Sequence, residues 1–210
     1  MTTQRSLIRR TAAVAATATA ALVLAACGGD SGSTPKHDGG HAAPTASGSA
    51  TATARPGGNN AADTAFAQGM VPHHRQAVEM AGLAATRSAS AEVKALAEEI
   101  KKAQDPEIKT LSGWLGSWGE QVPAADGGHG GHAMSGMMTG GEMDDLTKSS
   151  GKEFDKAFLT LMVKHHEGAV AMARTEQTDG AYQPAKDMAA AIIGSQSAEI
   201  TRMNALLAAN

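Results

Sequence analysis

Apolar residues recur at steps of three and four along two long stretches of the chain, about 61–118 and 146–210, and this spacing predicts helices. In the first helix the stripe is Phe66, Met70, His73, Ala77, Met80, Ala81 and Ala84. Asp63 stands at its start, where an acidic side chain can cap exposed N–H groups. The second helix carries Val93, Leu96, Ile100, Gln104, Glu107, Ile108, Leu111 and Leu115, with Ser90 as its cap. The last helix of the chain repeats that pattern as Met188, Ile192, Gln196, Glu199, Ile200, Met203, Leu206 and Leu207, and Pro184 suits its first turn. Pro72 falls near the start of the first helix, where a missing N–H costs little. Pro106 falls inside the second helix, removes a donor there, and predicts a kink or a split.

The two stretches are copies. At an offset of 92 without a gap, Asp63 and Phe66 match Asp155 and Phe158. Met70, His73, His74, Ala77, Met80 and Ala81 match Met162, His165, His166, Ala169, Met172 and Ala173. Lys94, Ala97, Ile100, Gln104, Glu107 and Ile108 match Lys186, Ala189, Ile192, Gln196, Glu199 and Ile200. Register held this long is duplication, and it is not a short solenoid period. Two copies of a helical hairpin predict an all-α four-helix bundle with pseudo-two-fold symmetry.

Outside the copies the pattern fails. Residues 28–60 are rich in Gly, Ser, Thr, Ala and Pro, lack apolar periodicity, and read as a flexible tether. They hold His37 and His41, which a solvated linker most often leaves idle. Residues 119–145 form a central loop rich in Gly, Met and His, whose glycines argue against any regular helix. The expected organisation is therefore a leader over 1–26, a tether over 27–60 and one folded domain over 61–210. Within that domain, repeat one is 61–118, the loop 119–145 and repeat two 146–210.

The leader has a basic start at Arg5, Arg9 and Arg10, then a small-residue apolar run to Ala26. It reads as an export signal, too short and alanine-rich for a membrane span. The Arg9-Arg10 pair leaves the export route open. Leu24-Ala25-Ala26-Cys27 resembles the bacterial lipobox, in which the cysteine is lipidated and begins the mature protein. This predicts an exported lipoprotein, held to the outer face of the cell membrane through Cys27. Cys27 is the chain's one cysteine, so the mature protein would have no thiol and no disulfide. The formal charge is −3, from 18 basic and 21 acidic residues. Losing the three leader arginines leaves 15 against 21, or −6, which suits no nucleic-acid partner.

Candidate chemistry concentrates in the repeated Met-Val-x-His-His. Successive helix residues are about 100° apart, so His73 and His74 straddle the buried face, with Ala77 on the centre line. A partner helix packed there would bring His73, His74, His165 and His166 together from two sides, beside Met70, Met80, Met162 and Met172. Imidazole with thioether points to a soft or borderline metal, Cu(I) or Ag(I), since methionine is a poor ligand for calcium, magnesium or zinc. Gln104 and Glu107, like Gln196 and Glu199, share one helix face. They can orient imidazole N–H groups, offer an oxygen ligand, or form a polar layer that fixes register. A methionine on an apolar stripe is most often core filling, whereas burying four imidazoles without use is costly. The central loop adds His129, His132, Met134, Met137 and Met138, with Met143 just after. All eight histidines lie in the doubled pairs, the loop or the tether. There is no phosphate-binding Gly-rich loop, no nucleophile elbow, no CxxC, and no paired Glu-x-x-His of the di-iron bundles.

These residues resemble a bacterial family known as domain of unknown function 305. The resemblance runs over about 61–210 and rests on "AFAQGMVPHHRQAVEMA", "ALAEEIKKAQDPEIKTLSGWL", "MSGMM" and "EFDKAFLTLMVKHHEGAVAMA". It implies a ferritin-like four-helix bundle. It also implies copper handling outside the cytoplasm, with the doubled-motif residues and Met134, Met137 and Met138 as the ligand candidates. Pro106 departs from the family's usual run before Glu-Ile. The functional expectation is a lipid-anchored protein that sequesters Cu(I) or passes it to another copper-handling protein, without an organic cofactor. A ferritin-like redox enzyme and a metal-free adaptor with a structural or pH-sensing histidine layer are the alternatives.

Overall fold

The computed structural model describes residues 58–124 and 135–209. Five helices follow in order: α1 Ala61–Arg87, α2 Ala91–Ser117, α3 Gly140–Lys148, α4 Gly151–Asp179 and α5 Gln183–Ala209. Helices α1 and α2 form one hairpin and α4 and α5 the other, each closed by a short connection, and α1 packs against α4. The start of α1 meets the end of α4, and the start of α4 meets the end of α1, so this central pair is antiparallel. The fold is an all-α bundle.

Capping explains where the helices begin. Asn60 is the N-cap of α1, and its side chain accepts from the N–H groups of Ala62 and Asp63. Asp63 is therefore the third helical residue rather than the cap, and closes a capping box by accepting from the Asn60 N–H at 2.5 Å. Ser90 caps α2 through Val93 N–H. Thr139 and Glu142 form the same box at α3.

Three further sequence expectations need correction. Helix α2 is unbroken through Pro106. Lys102, Asp105 and Pro106 are all exposed, so the carbonyl that proline deprives of a donor can turn to water. Pro72 is the twelfth residue of α1, deep in the helix rather than near its start. The central segment does contain a regular helix: α3 opens on Gly140-Gly141, because its capping box and the burial of Leu146 outweigh the low helix propensity of glycine.

The aspartates of the repeat fasten the hairpins to each other. Asp63 of α1 accepts from Ala181 N–H and Tyr182 N–H, the connection that leads into α5. Asp155 of α4, its counterpart, accepts from Ser90 N–H at the start of α2, at 3.0 Å. Each carboxylate is buried, and each holds the other hairpin's turn.

Along its length the interior has three layers. One apolar cluster gathers Phe66, Met70, Leu111, Leu115, Ala173 and Ile192. The other gathers Met80, Leu96, Ile100, Phe154, Phe158, Met162 and Met203, with Met138 and Leu146 from the central segment. Between them in sequence on every long helix stands a polar layer: His73 and His74, Gln104, His165 and His166, and Gln196, all buried.

Candidate metal centre

The four histidines are fully buried. Close approach of α1 and α4 puts the rings of His73 and His165 in contact, their centroids 3.8 Å apart and tilted by 45°. His166 lies 6.4 Å from His165, centroid to centroid. The alanines one turn on, Ala77 and Ala169, are also fully buried, which permits this approach.

The outer pair of rings is held from the flanking helices. His74 Nε2 lies 2.7 Å from Glu107 Oε2, and His166 Nε2 lies 2.6 Å from Glu199 Oε2. A carboxylate only accepts, so in each ring Nε2 carries the proton of this bond, and Nδ1 is the nitrogen left to bind an ion. His73 reaches the same state differently: its Nε2 donates to the carbonyl of Ser135 at 3.3 Å. Among the described residues, the Nδ1 atoms of His73, His74 and His166, and both nitrogens of His165, are buried without a well-formed hydrogen bond. The backbone of His73 lies beside the His165 ring. Both amide atoms of Gln104 and Oε1 of Gln196 are likewise without partners.

Electrostatics keeps the inner rings neutral. Burial pushes the His73 imidazole down to about 3, with the charges of His74 and His166 acting the same way and the Ser135 bond opposing. Burial, then His73, His166 and His74, hold His165 well below its ordinary value. Neutral imidazoles with an unused lone pair are what a metal needs from its ligands.

Of the methionines, Met70 lies in the apolar cluster on one side of the histidine layer, and half-buried Met172 packs against it. Met80, Met162 and Met138 share the cluster on the other side. The duplicated thioethers thus flank the histidines above and below. Met137 is half-buried. His129, His132 and Met134, with Cys27, His37 and His41, lie outside the described residues. Among the described residues, no three His, Cys, Asp or Glu side chains form a ready cage for a metal ion. The imidazole lone pairs fit a soft metal chemically, but holding one would require ring rotation or a thioether ligand.

The sequence singled out Met137 and Met138 as ligand candidates, but not the way their stretch is fastened over this centre. Gln76 of α1 clamps the backbone of Met138: its Nε2 donates to the carbonyl at 2.9 Å, and its Oε1 accepts from the N–H at 2.7 Å. Gly136, at φ +85°, lies against Gly168 of α4. A Cβ at Gly168 would sit 2.1 Å from the Ser135 carbonyl oxygen, and one at Gly136 would sit 2.8 Å from Gly168 Cα. Gln76 and Gly168 occupy equivalent repeat positions with unlike residues. That broken equivalence was the available signal.

A histidine-centred, duplicated helical bundle is the class that fold and site define. The model of the family "Domain of unknown function (DUF305)" matches residues 63–207. The chain belongs to the DUF305 family. Among solved structures it is similar to a DUF305 protein from Streptomyces coelicolor, named as a candidate for secretion. They share 34% identity at a TM-score of 0.64, over 70% of this chain and 92% of that one. A DUF305 fragment from Deinococcus radiodurans shares 28% identity at a TM-score of 0.63, over 72% and 98%. CopM in its Cu(II)-bound form shares 36% identity at a TM-score of 0.61, over 69% and 95%. CopM is also known in Cu(I)-bound and Ag-bound forms. Among curated proteins none matches.

Proposed function

We propose that this chain is an exported metal-binding protein that sequesters or transfers Cu(I), or Ag(I), through the imidazoles of His73, His74, His165 and His166. The observation that carries this reading is the five buried ring nitrogens that make no well-formed hydrogen bond among the described residues. Each buried polar atom left so costs about 1–3 kcal/mol, a burden a purely structural layer would shed by substitution to apolar residues. The metal-bound forms of CopM support the choice of metal. Methionines in the apolar clusters on either side supply thioether donors within the same bundle. Glu107 and Glu199 act as positioning residues that fix which nitrogen of His74 and His166 is free.

In this reading the protein is a lipoprotein anchored through Cys27, and another copper-handling protein receives or supplies the ion. The lipobox at 24–27 and the secretion assigned to the Streptomyces coelicolor relative support an extracytoplasmic place. No described helix is long and apolar enough to cross a membrane.

An anaerobic Cu(I) competition titration tests the assignment. The protein takes up Cu(I) tightly, and joint replacement of the four histidines by alanine abolishes the high-affinity component. Unchanged affinity and stoichiometry would overturn it. The lack of a ready cage among the described residues favours a second reading, a metal-free polar layer that fixes helix register. That reading predicts a stability indifferent to Cu(I), Ag(I) and chelators.

A further inference from the structure

We propose that Ser135–Met138 is a strap that closes the histidine centre, and that Gln76 is the residue that fastens it. The consequence for metal exchange rests on the function proposed above; the covering itself does not.

The strap crosses the seam between α1 and α4 where the inner rings touch. At one end the Ser135 carbonyl accepts from His73 Nε2, and Gly136 lies against the backbone carbonyls of Lys164 and His165. At the other end the Met138 side chain is buried in the apolar cluster with Met80 and Met162. Besides the Ser135 bond, the only polar fastening of the strap among the described residues is the paired bond from Gln76 to the Met138 backbone. Two glycines permit the fit: any side chain at Gly136 or Gly168 would overlap the opposing backbone. The arrangement uses one copy of the motif to clamp and the other to make room. It is therefore an asymmetric device built on a symmetric bundle.

Its chemical effect is on His73. With the strap down, the Ser135 carbonyl holds the proton on Nε2 and blocks that nitrogen from solvent. With the strap up, the ring can rotate and either nitrogen can face an incoming ion. All four imidazoles have no exposed surface in the closed state, so an ion entering over the inner pair must wait for the strap to lift. The two hydrogen bonds of Gln76 are few enough to break transiently and numerous enough to set the rate.

The test uses histidine acylation by diethyl pyrocarbonate, read by peptide mass spectrometry on the metal-free protein, together with Ag(I) release to a competing chelator. Gln76→Ala removes the fastening, and Gly168→Ala drives a Cβ into the Ser135 carbonyl. Leu83→Ala, which trims a side chain packed on the apolar cluster, controls for general loosening. Circular dichroism checks that each variant is folded, and either strap variant suffices if the other is not. Acylation of His73 and His165 should accelerate about tenfold in Gln76→Ala, as expected for losing two hydrogen bonds, should accelerate also in Gly168→Ala, where the Cβ displaces Ser135, and should not in the control. Ag(I) release should accelerate in parallel with stoichiometry retained. Unchanged acylation rates in the strap variants, or equal acceleration in the control, would overturn the proposal. If the wild type takes up no Ag(I) or Cu(I), the metal-binding function falls, and the acylation rates still decide whether the strap covers the rings.

Discussion

Glu107 accepts from His74 much as Glu199 accepts from His166, and the two contacts make a pointed prediction. Glu107→Gln or Glu199→Gln removes the charge but keeps the shape. Each should lower Cu(I) affinity about 10–100-fold, the usual cost of losing a partner that orients a ligand. Equal affinity in both variants by competition titration would show that these carboxylates do not act through the rings. A different residue governs the response to pH. Glu176 is almost fully buried beside Asp63, and burial, then the Asp63 contact, raise its carboxyl to about 8. Burial alone would raise Asp63 too, but bonds from Asn60, Tyr182 and Ala181 N–H and the contact with Glu176 bring it below its ordinary value. Glu176 is thus the acid and Asp63 the carboxylate of the pair. The folded state keeps a proton the unfolded state has lost between its ordinary 4.5 and about 8. Across that window this group makes stability fall as pH rises, by at most about 1.4 kcal/mol per unit. Glu176→Gln should flatten this fall and raise the midpoint of thermal unfolding near pH 8. An unaltered slope between pH 5 and 8 would refute the assignment.

At the scale of the element, the sequence conveyed helices well and their interruptions poorly. The three- and four-residue spacing marks the stripes of α1 and α2 because burial follows period directly. The effect of Pro106 depends on whether the carbonyl it orphans can reach water, which spacing does not reveal, and Pro72 lies a full three turns into α1 without ending it. Helix α3 was hidden because nine residues beginning with two glycines have little intrinsic propensity, and a cap and one buried leucine decide the matter. At the centre, the histidines, Gln104, Gln196, Glu107 and Glu199 were legible as a repeated constellation. Gln76, Ser135, Gly136 and Gly168 were not, since their roles rest on backbone atoms of a non-repeated segment. The cross-hairpin bonds also yield a prediction. Asp155→Ala removes the acceptor for Ser90 N–H and should lower stability by about 1 kcal/mol in chemical denaturation, the size of a lost cap. No measurable loss would mean that water replaces the carboxylate there.

For the whole molecule, duplication makes one centre from two hairpins. Neither half contains the ring contact between His73 and His165, or its own turn-fastening aspartate. The proposed export and lipid anchoring rest on residues 1–27, none of which belongs to the proposed ligand set. Cys27→Ser should therefore shift the protein from the membrane fraction to the soluble exported fraction while Cu(I) uptake by the bundle is retained. Persistence in the membrane fraction would remove the lipid-anchor assignment without touching the metal reading.

The chain's two tryptophans and single tyrosine gather at one end of the bundle. Trp114 and Trp118 stack at 6.2 Å, and Tyr182 meets both edge-on at 5.5 and 5.4 Å. Tyr182 is also the residue whose N–H the Asp63 carboxylate holds. Intrinsic fluorescence is thus a local gauge: it watches the joint held by Asp63, beside Glu176, and it is blind to the strap. Ionisation of Glu176 should be visible as a change in emission, whereas lifting of Ser135–Met138 from the imidazoles is optically dark and has to be followed by chemistry.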